Sequence, residues 1–234
     1  RALRGCEGLT DLSLKDTSLG CKGAALLASG LPASLEKLDL TSNRIGDAGL
    51  CELVGALSAG GARLSFLSLA ENLFGVAGMR ALCDSLEPSG LVTLHLGLKE
   101  TLSYEEDNSI FARELGTKLL PFCSSLTSLS IPGRFIGQAG ACALAAGLSF
   151  CTTLCSLDIA ENSIEDVGAR SICEALANAP GLTSLDVAMN FMGEEGAKHL
   201  ARVFERSPLL SKVDLQFNEI GGGGGAHIAR GLMS

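Results

Sequence analysis

The chain has 234 residues, with 26 acidic against 18 basic side chains and a formal charge of −8. That balance argues against a phosphate-backbone binder, which needs a basic patch to displace counterions, so no nucleic-acid partner is expected. Leucine accounts for 42 residues, ample apolar material for a core, and no run of about 20 apolar residues reads as a membrane span.

In chain order, the first signal is Leu9, with Leu12 and Leu14 three and five positions on. The same spacing returns from Leu35, Leu64, Leu91, Leu126, Leu154, Leu182 and Leu210, at intervals of 26, 29, 27, 35, 28, 28 and 28 residues. Each copy opens with a period of two: Leu157 and Ile159 alternate with Ser156, Asp158 and Ala160, the pattern of a half-buried strand. A helical period follows. It is visible at Leu50, Leu53, Val54 and Leu57, then at Ala112, Leu115, Gly116 and Leu119. Later copies read Ala169, Ile172, Cys173, Leu176 and Ala197, Leu200, Ala201, Phe204. A glycine just before this stripe in seven copies (Gly23, Gly49, Gly78, Gly140, Gly168, Gly196 and Gly224) suits a tight helix entry or a close approach to a neighbour.

One strand and one helix cannot bury an apolar face alone, so the copies are expected to stack into an α/β solenoid. Parallel strands then line the concave side and helices the convex side. Eight positions after the anchor stand Asn43, Asn72, Asn162, Asn190 and Asn218, replaced in the other copies by Thr17, Lys99 and Arg134. An amide carries donors and an acceptor, so this column is expected to be buried and bonded to backbone where the strand turns outward.

Segments such as LEKLDLTSNRIGDAGL and LTSLDVAMNFMGEEGAKHL make the chain resemble the ribonuclease-inhibitor-like class of leucine-rich repeat proteins over essentially its whole length. The resemblance implies an intracellular horseshoe that contacts other proteins and is not an enzyme. No P-loop, nucleophile elbow or metal-ligand spacing occurs in the sequence, so no cofactor, metal or small-molecule substrate is expected. The expected function is an interaction module or scaffold, as a single eight-repeat domain within a larger assembly. Relatives leave two other readings open: a GTPase-activating regulator, with Arg44 or Arg134 offered from a loop, and the sensor domain of an immune-type receptor. No family motif assigns either arginine a catalytic role. The chain starts at Arg1 and shows no signal peptide, so the cytoplasm is expected, or an organelle if a transit segment was removed. Neither end shows a polar capping unit, which suggests that more chain or a partner covers at least one of them.

The partner-binding candidates are departures from regularity. The 35-residue copy holds an insertion over residues 97–109, with Tyr104 among Glu100, Glu105, Glu106 and Asp107. It reads either as a recognition element or as a tolerated acidic loop. Asp158, Asp186 and Asp214 recur at one strand position, where stacked carboxylates repel unless a basic partner answers them or solvent screens them. Phe135, Met189, Phe191 and Phe217 fall at strand-end loops, either as an aromatic rim to that strip or packed between loops. The nine cysteines have no metal-ligand spacing. Cys83 and Cys173 share a helix column and Cys6, Cys123 and Cys151 another, so they read as small buried hydrophobes. His95, His199 and His227 show no ligand spacing either. The run Gly221 to Gly225 reads as a mobile loop.

Overall fold

The computed structural model describes residues 6–86, 88–98 and 108–233. Strands and helices alternate: β1 (Asp11–Ser13), α1 (Gly20–Ala28), β2 (Lys37–Asp39), α2 (Asp47–Gly60), β3 (Phe66–Ser68), α3 (Val76–Ser85), β4 (Thr93–His95) and α4 (Asn108–Glu114). The second half continues with β5 (Ser128–Ser130), α5 (Gly137–Leu148), β6 (Ser156–Asp158), α6 (Glu165–Leu176), β7 (Ser184–Asp186), α7 (Glu194–Arg206), β8 (Lys212–Asp214) and α8 (Gly221–Leu232). The eight strands form one open parallel sheet in chain order. Its register follows the leucine frame, with Leu38, Leu67, Leu94, Leu129, Leu157 and Leu185 opposite one another and buried. Helices pack on the same side as these leucines, and the flanking strand residues form the opposite, polar face.

Glycine at the helix entries answers to packing. A Cβ on Gly49 would sit 2.7 Å from Cys21 Cα, and one on Gly168 would sit 2.8 Å from Ala141 Cβ. Each helix therefore starts in contact with the previous one. Aspartates at those starts also reach forward. Asp47 Oδ1 accepts the Gly75 and Gly78 N–H groups at 2.9 and 2.6 Å, and Asp166 Oδ1 accepts those of Gly193 and Gly196 at 2.7 and 2.8 Å. A carboxylate from one repeat thus caps the helix of the next, where free N–H groups carry partial positive charge.

The asparagine column forms a ladder. Asn72 Nδ2 donates to the Leu40 and Leu69 carbonyls, and its Oδ1 accepts the Asn43 and Ile45 N–H groups. Asn162 and Asn190 repeat the pattern from fully buried positions. Asn218 makes the same bonds but is only half-buried, because no following repeat covers it among the described residues. The expectation of burial there is corrected for that reason.

Three further expectations change. The run Gly221 to Gly225 is not a loop but the opening of α8. A Cβ on Gly223 would run into the Glu194 carboxylate and one on Gly224 would sit 3.0 Å from Ala197 Cβ, so contact with α7 overrides poor helix propensity. Cys6 is exposed while Cys123 and Cys151 are buried, since nothing precedes it in the stack of described residues. The insertion ends earlier than residue 109, because Asn108 and Ser109 already belong to α4.

After α4 the helix widens into a π-helical turn, Leu115–Leu119, and closes through a 3₁₀ turn, Leu120–Phe122. Gly116 and Gly147 allow this: a Cβ on Gly147 would lie 2.1 Å from the Gly116 carbonyl oxygen. Glu114 is buried beside this turn, 2.9 Å from Lys118 Nζ and 3.2 Å from Arg80 Nε. Lys118, then Arg80, holds its carboxyl below the usual range against the opposing effect of burial. A depressed carboxylate contributes stability above its unfolded value and loses it as pH falls through the folded one. Glu114→Gln is therefore expected to lower the melting temperature near neutral pH. The gap from wild type should narrow as pH falls below the ordinary carboxylate range and through the lowered folded value, which thermal melts carried into acid will check.

Candidate functional site

On the polar face of the sheet the third residue of each strand forms one column. Asp158, Asp186 and Asp214 are Cα partners in β6, β7 and β8, so the structure stacks the three carboxylates. Each also serves its own strand exit: Asp158 Oδ1 accepts the Ala160 N–H at 3.2 Å, Asp186 Oδ1 that of Ala188 at 3.1 Å, and Asp214 Oδ1 that of Gln216 at 3.0 Å. Such turns explain why aspartate suits the position without any ligand. They leave the second oxygen of each group for other partners. Asp158 Oδ2 takes the Ser130 hydroxyl at 2.8 Å and Asp214 Oδ2 takes Gln216 Nε2 at 3.2 Å. Burial, and then the Asp158 and Asp214 charges, push the Asp186 carboxyl up against the lowering effect of the Ala188 N–H.

The loops after β7 and β8 carry the apolar rim. Met189, Phe191 and Phe217 are 40%, 59% and 72% exposed, and each has a left-handed backbone with φ between 54° and 55°. They flank Asn190 and Asn218, whose bonds fix the turn, and the Met189 N–H donates to the Gln216 carbonyl at 2.9 Å, holding the two loops side by side. Exposed aromatics beside a stacked acidic strip are thus placed on adjacent repeats. Phe135 stands on the loop after β5 and is half-buried, away from this group. Tyr104, Glu105 and Glu106 lie outside the described residues.

The same column continues toward the N-terminal repeats through Ser130, His95, Ser68 and Asp39. Phe66 and His95 meet edge to face with ring centroids 5.7 Å apart, and burial lowers the His95 pKa. Phe66 also lines an open groove of about 320 Å³ with Asp11, Leu12, Ser13, Lys37 and Asp39, where Lys37 and Asp11 pair at 2.9 Å. Phe66 is the first strand residue of its repeat, two positions after the anchor, a column that the aspartates alone do not mark.

Arg134 is not an offered loop side chain. It is 2% exposed, with Nε donating to the Leu96 carbonyl at 2.6 Å and Nη1 to the Phe74 carbonyl at 2.9 Å. Its guanidinium carbon lies 4.4 Å from both the Phe74 and Phe111 ring centroids. Burial pushes its pKa down to about 9, which leaves it cationic at neutral pH. Arg44 is exposed on the loop after β2. Burial raises the thiols of Cys83, Cys123 and Cys173 to about 12 and Cys151 to about 11, far from the thiolate form that reacts or binds metal. Among the described residues no three His, Cys, Asp or Glu side chains gather as metal ligands, and no helix is long and apolar enough to cross a membrane.

A leucine-rich repeat family model matches residues 32–54, 150–173 and 206–229. No curated protein matches the chain at a significant level. Among solved structures, an internalin (InlF) from Listeria monocytogenes str. 4b F2365 aligns with a TM-score of 0.56 and 17% identity, covering 97% of this chain and 61% of its own. The tropomodulin C-terminal domain from Caenorhabditis elegans aligns at 0.51 with 11% identity, over 68% of this chain and 91% of its own. Leiomodin-1 Actin-Binding Site 2 aligns at 0.47 with 18% identity, over 67% and 89%, too distant in shape to carry an argument. This chain therefore spans about three-fifths of the internalin it matches, and these likenesses speak to the fold alone.

Proposed function

We propose that this chain, whose residues 32–54, 150–173 and 206–229 match leucine-rich repeats, is an interaction module that holds a protein partner on the polar face of its C-terminal repeats. The observation that carries the reading is the register of Asp158, Asp186 and Asp214 beside the exposed Met189, Phe191 and Phe217. A partner with a basic surface and an apolar anchor complements that face: its charges answer the carboxylates and its anchor covers the rim. A helix in every repeat and a spacing near 28 residues support the ribonuclease-inhibitor-like class, and the reading places it as a single eight-repeat domain within an assembly inside the cell.

The strand-exit bonds decide which variant tests this. Asparagine keeps an oxygen for the N–H two residues on and removes the charge, whereas lysine removes both. In Asp158→Asn/Asp186→Asn/Asp214→Asn the melting temperature is expected to change little, while association with the native partner weakens and loses much of its salt dependence. Quantitative cross-linking in native extract, mapped to individual repeats, reads the effect. Cross-links to the strand face that persist unchanged in the triple variant would remove the aspartates from the interface.

A further inference from the structure

The helical side of the protein carries a second feature, of opposite sign. Between α6 and α7 lies a groove of about 190 Å³, lined by Cys173, Glu174 and Ala177 from α6 and by His199, Arg202, Val203 and Arg206 from α7. In a chain of net charge −8 it gathers two arginines and a histidine against one carboxylate. That carboxylate is already engaged: Glu174 Oε1 receives Arg170 Nε at 2.8 Å. Arg170, then His199 and Arg202, hold the Glu174 carboxyl below its ordinary range. Lys198 is occupied too, by Glu195 at 3.0 Å. Arg202 and Arg206 stand one turn apart on α7, where like charges repel, and neither makes an ion pair among the described residues. Arg206 sits in the last turn and gains from the negative end of the helix; Arg202 lies a turn further in, where that effect has faded.

We propose that this groove binds a phosphate group through Arg202, Arg206 and His199. Two guanidinium forks on neighbouring turns present more donors than one flat carboxylate accepts, and the oxygens of a tetrahedral dianion match them. The groove is several times larger than the space one water needs, enough for a phosphate. Burial, then Arg202 and Arg170, lowers the His199 pKa against the pull of Glu174 and Glu195. The ring is neutral at pH 7 and gains a proton when a dianion enters beside it. The charged groups around it are Arg170 and Glu174 on α6 and Glu195, Lys198, Arg202 and Arg206 on α7. His227 on α8 and the thiol of Cys173, held at about 12, complete the set. The phosphate comes either on a phosphorylated side chain of another protein or as free inorganic phosphate, and the site chemistry is the same.

Titration of the whole chain with inorganic phosphate, and separately with a short phosphoserine peptide, at low ionic strength tests this through the His199 imidazole resonances. Saturable shifts with a rise in the His199 pKa are expected. In Arg202→Gln/Arg206→Gln the affinity should fall at least about tenfold, with an unchanged melting temperature because both side chains are exposed. Tighter binding of the peptide assigns the phosphate to a protein, and equal binding assigns it to the free ion; both support the site. Equal response to acetate, shifts that survive in the double variant, or no shift at all with either phosphate probe would each overturn it.

Discussion

Arg134→Ala is expected to destabilise the protein by about 3–5 kcal/mol. Two buried carbonyls, Leu96 and Phe74, lose their donors, at about 1–3 kcal/mol for each group left unpaired. The truncation also opens a void beside Phe74 and Phe111 and removes a desolvated cation–ring contact. One effect runs the other way. The cation has no carboxylate in contact among the described residues, and Nη2 has no hydrogen-bond partner there, so removing it relieves a desolvation cost. Arg134→Met separates these contributions, because it fills the space without the charge. About 1–3 kcal/mol is expected for that variant, the loss at the two carbonyls being partly offset by the relieved desolvation of the cation. Urea unfolding of both variants measures the difference, and a cost below about 1 kcal/mol for Arg134→Ala would mean the side chain does not tie the repeats together.

The position explains the strength. Arg134 occupies the asparagine column, and its Nε takes the Leu96 carbonyl, the equivalent of Ile131 under Asn162. An asparagine there reaches one repeat back. Arginine reaches two, to the Phe74 carbonyl, and so spans the repeat whose column residue is Lys99. The insertion and the arginine are thus two sides of one departure: where the regular ladder is interrupted, a longer side chain bridges it.

That substitution was visible in the sequence as a gap in the column, but its consequence was not, because arginine ordinarily marks a surface and only the two flanking phenylalanines reveal a buried site. The leucine frame was legible throughout. A period of two with Leu157 and Ile159 facing inward leaves no other arrangement than stacked strands, and both are buried. Features set by contact between repeats were hidden. The π-helical turn at Leu115–Leu119 depends on backbone meeting backbone at Gly116 and Gly147, which no local period records. The helical opening at Gly223 and Gly224 goes with close approach to Glu194 and Ala197 of α7. The aspartate column could be read, but not its double use, since a bond from Asp186 to the Ala188 N–H follows from the turn geometry and not from residue identity.

Asn162→Leu tests the ladder itself, and the expected loss is about 3 kcal/mol or more. The leucine retains the volume of the side chain but no polar atom. Oδ1 now accepts the N–H groups of Arg134 and Ile136 at 3.2 and 3.5 Å, and Nδ2 donates to the carbonyls of Ile131, Ile159 and Ala160 at 2.9, 3.0 and 3.0 Å. The site is fully buried, so water cannot replace those partners, and several unpaired groups at about 1–3 kcal/mol each outweigh the apolar area gained. Asn218→Leu supplies the internal comparison. Asn218 makes the same set of bonds, but its half-buried position lets water take over part of them, and about 1 kcal/mol is expected. Stability in a stacked array is shared between neighbours, so the Asn162 variant should also open locally. Amide exchange at Arg134 and Ile136 is expected to rise more than exchange in β2 and β3, far from the break. Equal losses in the two variants, or unchanged exchange at Arg134 and Ile136, would show that these amides are not what binds one repeat to the next.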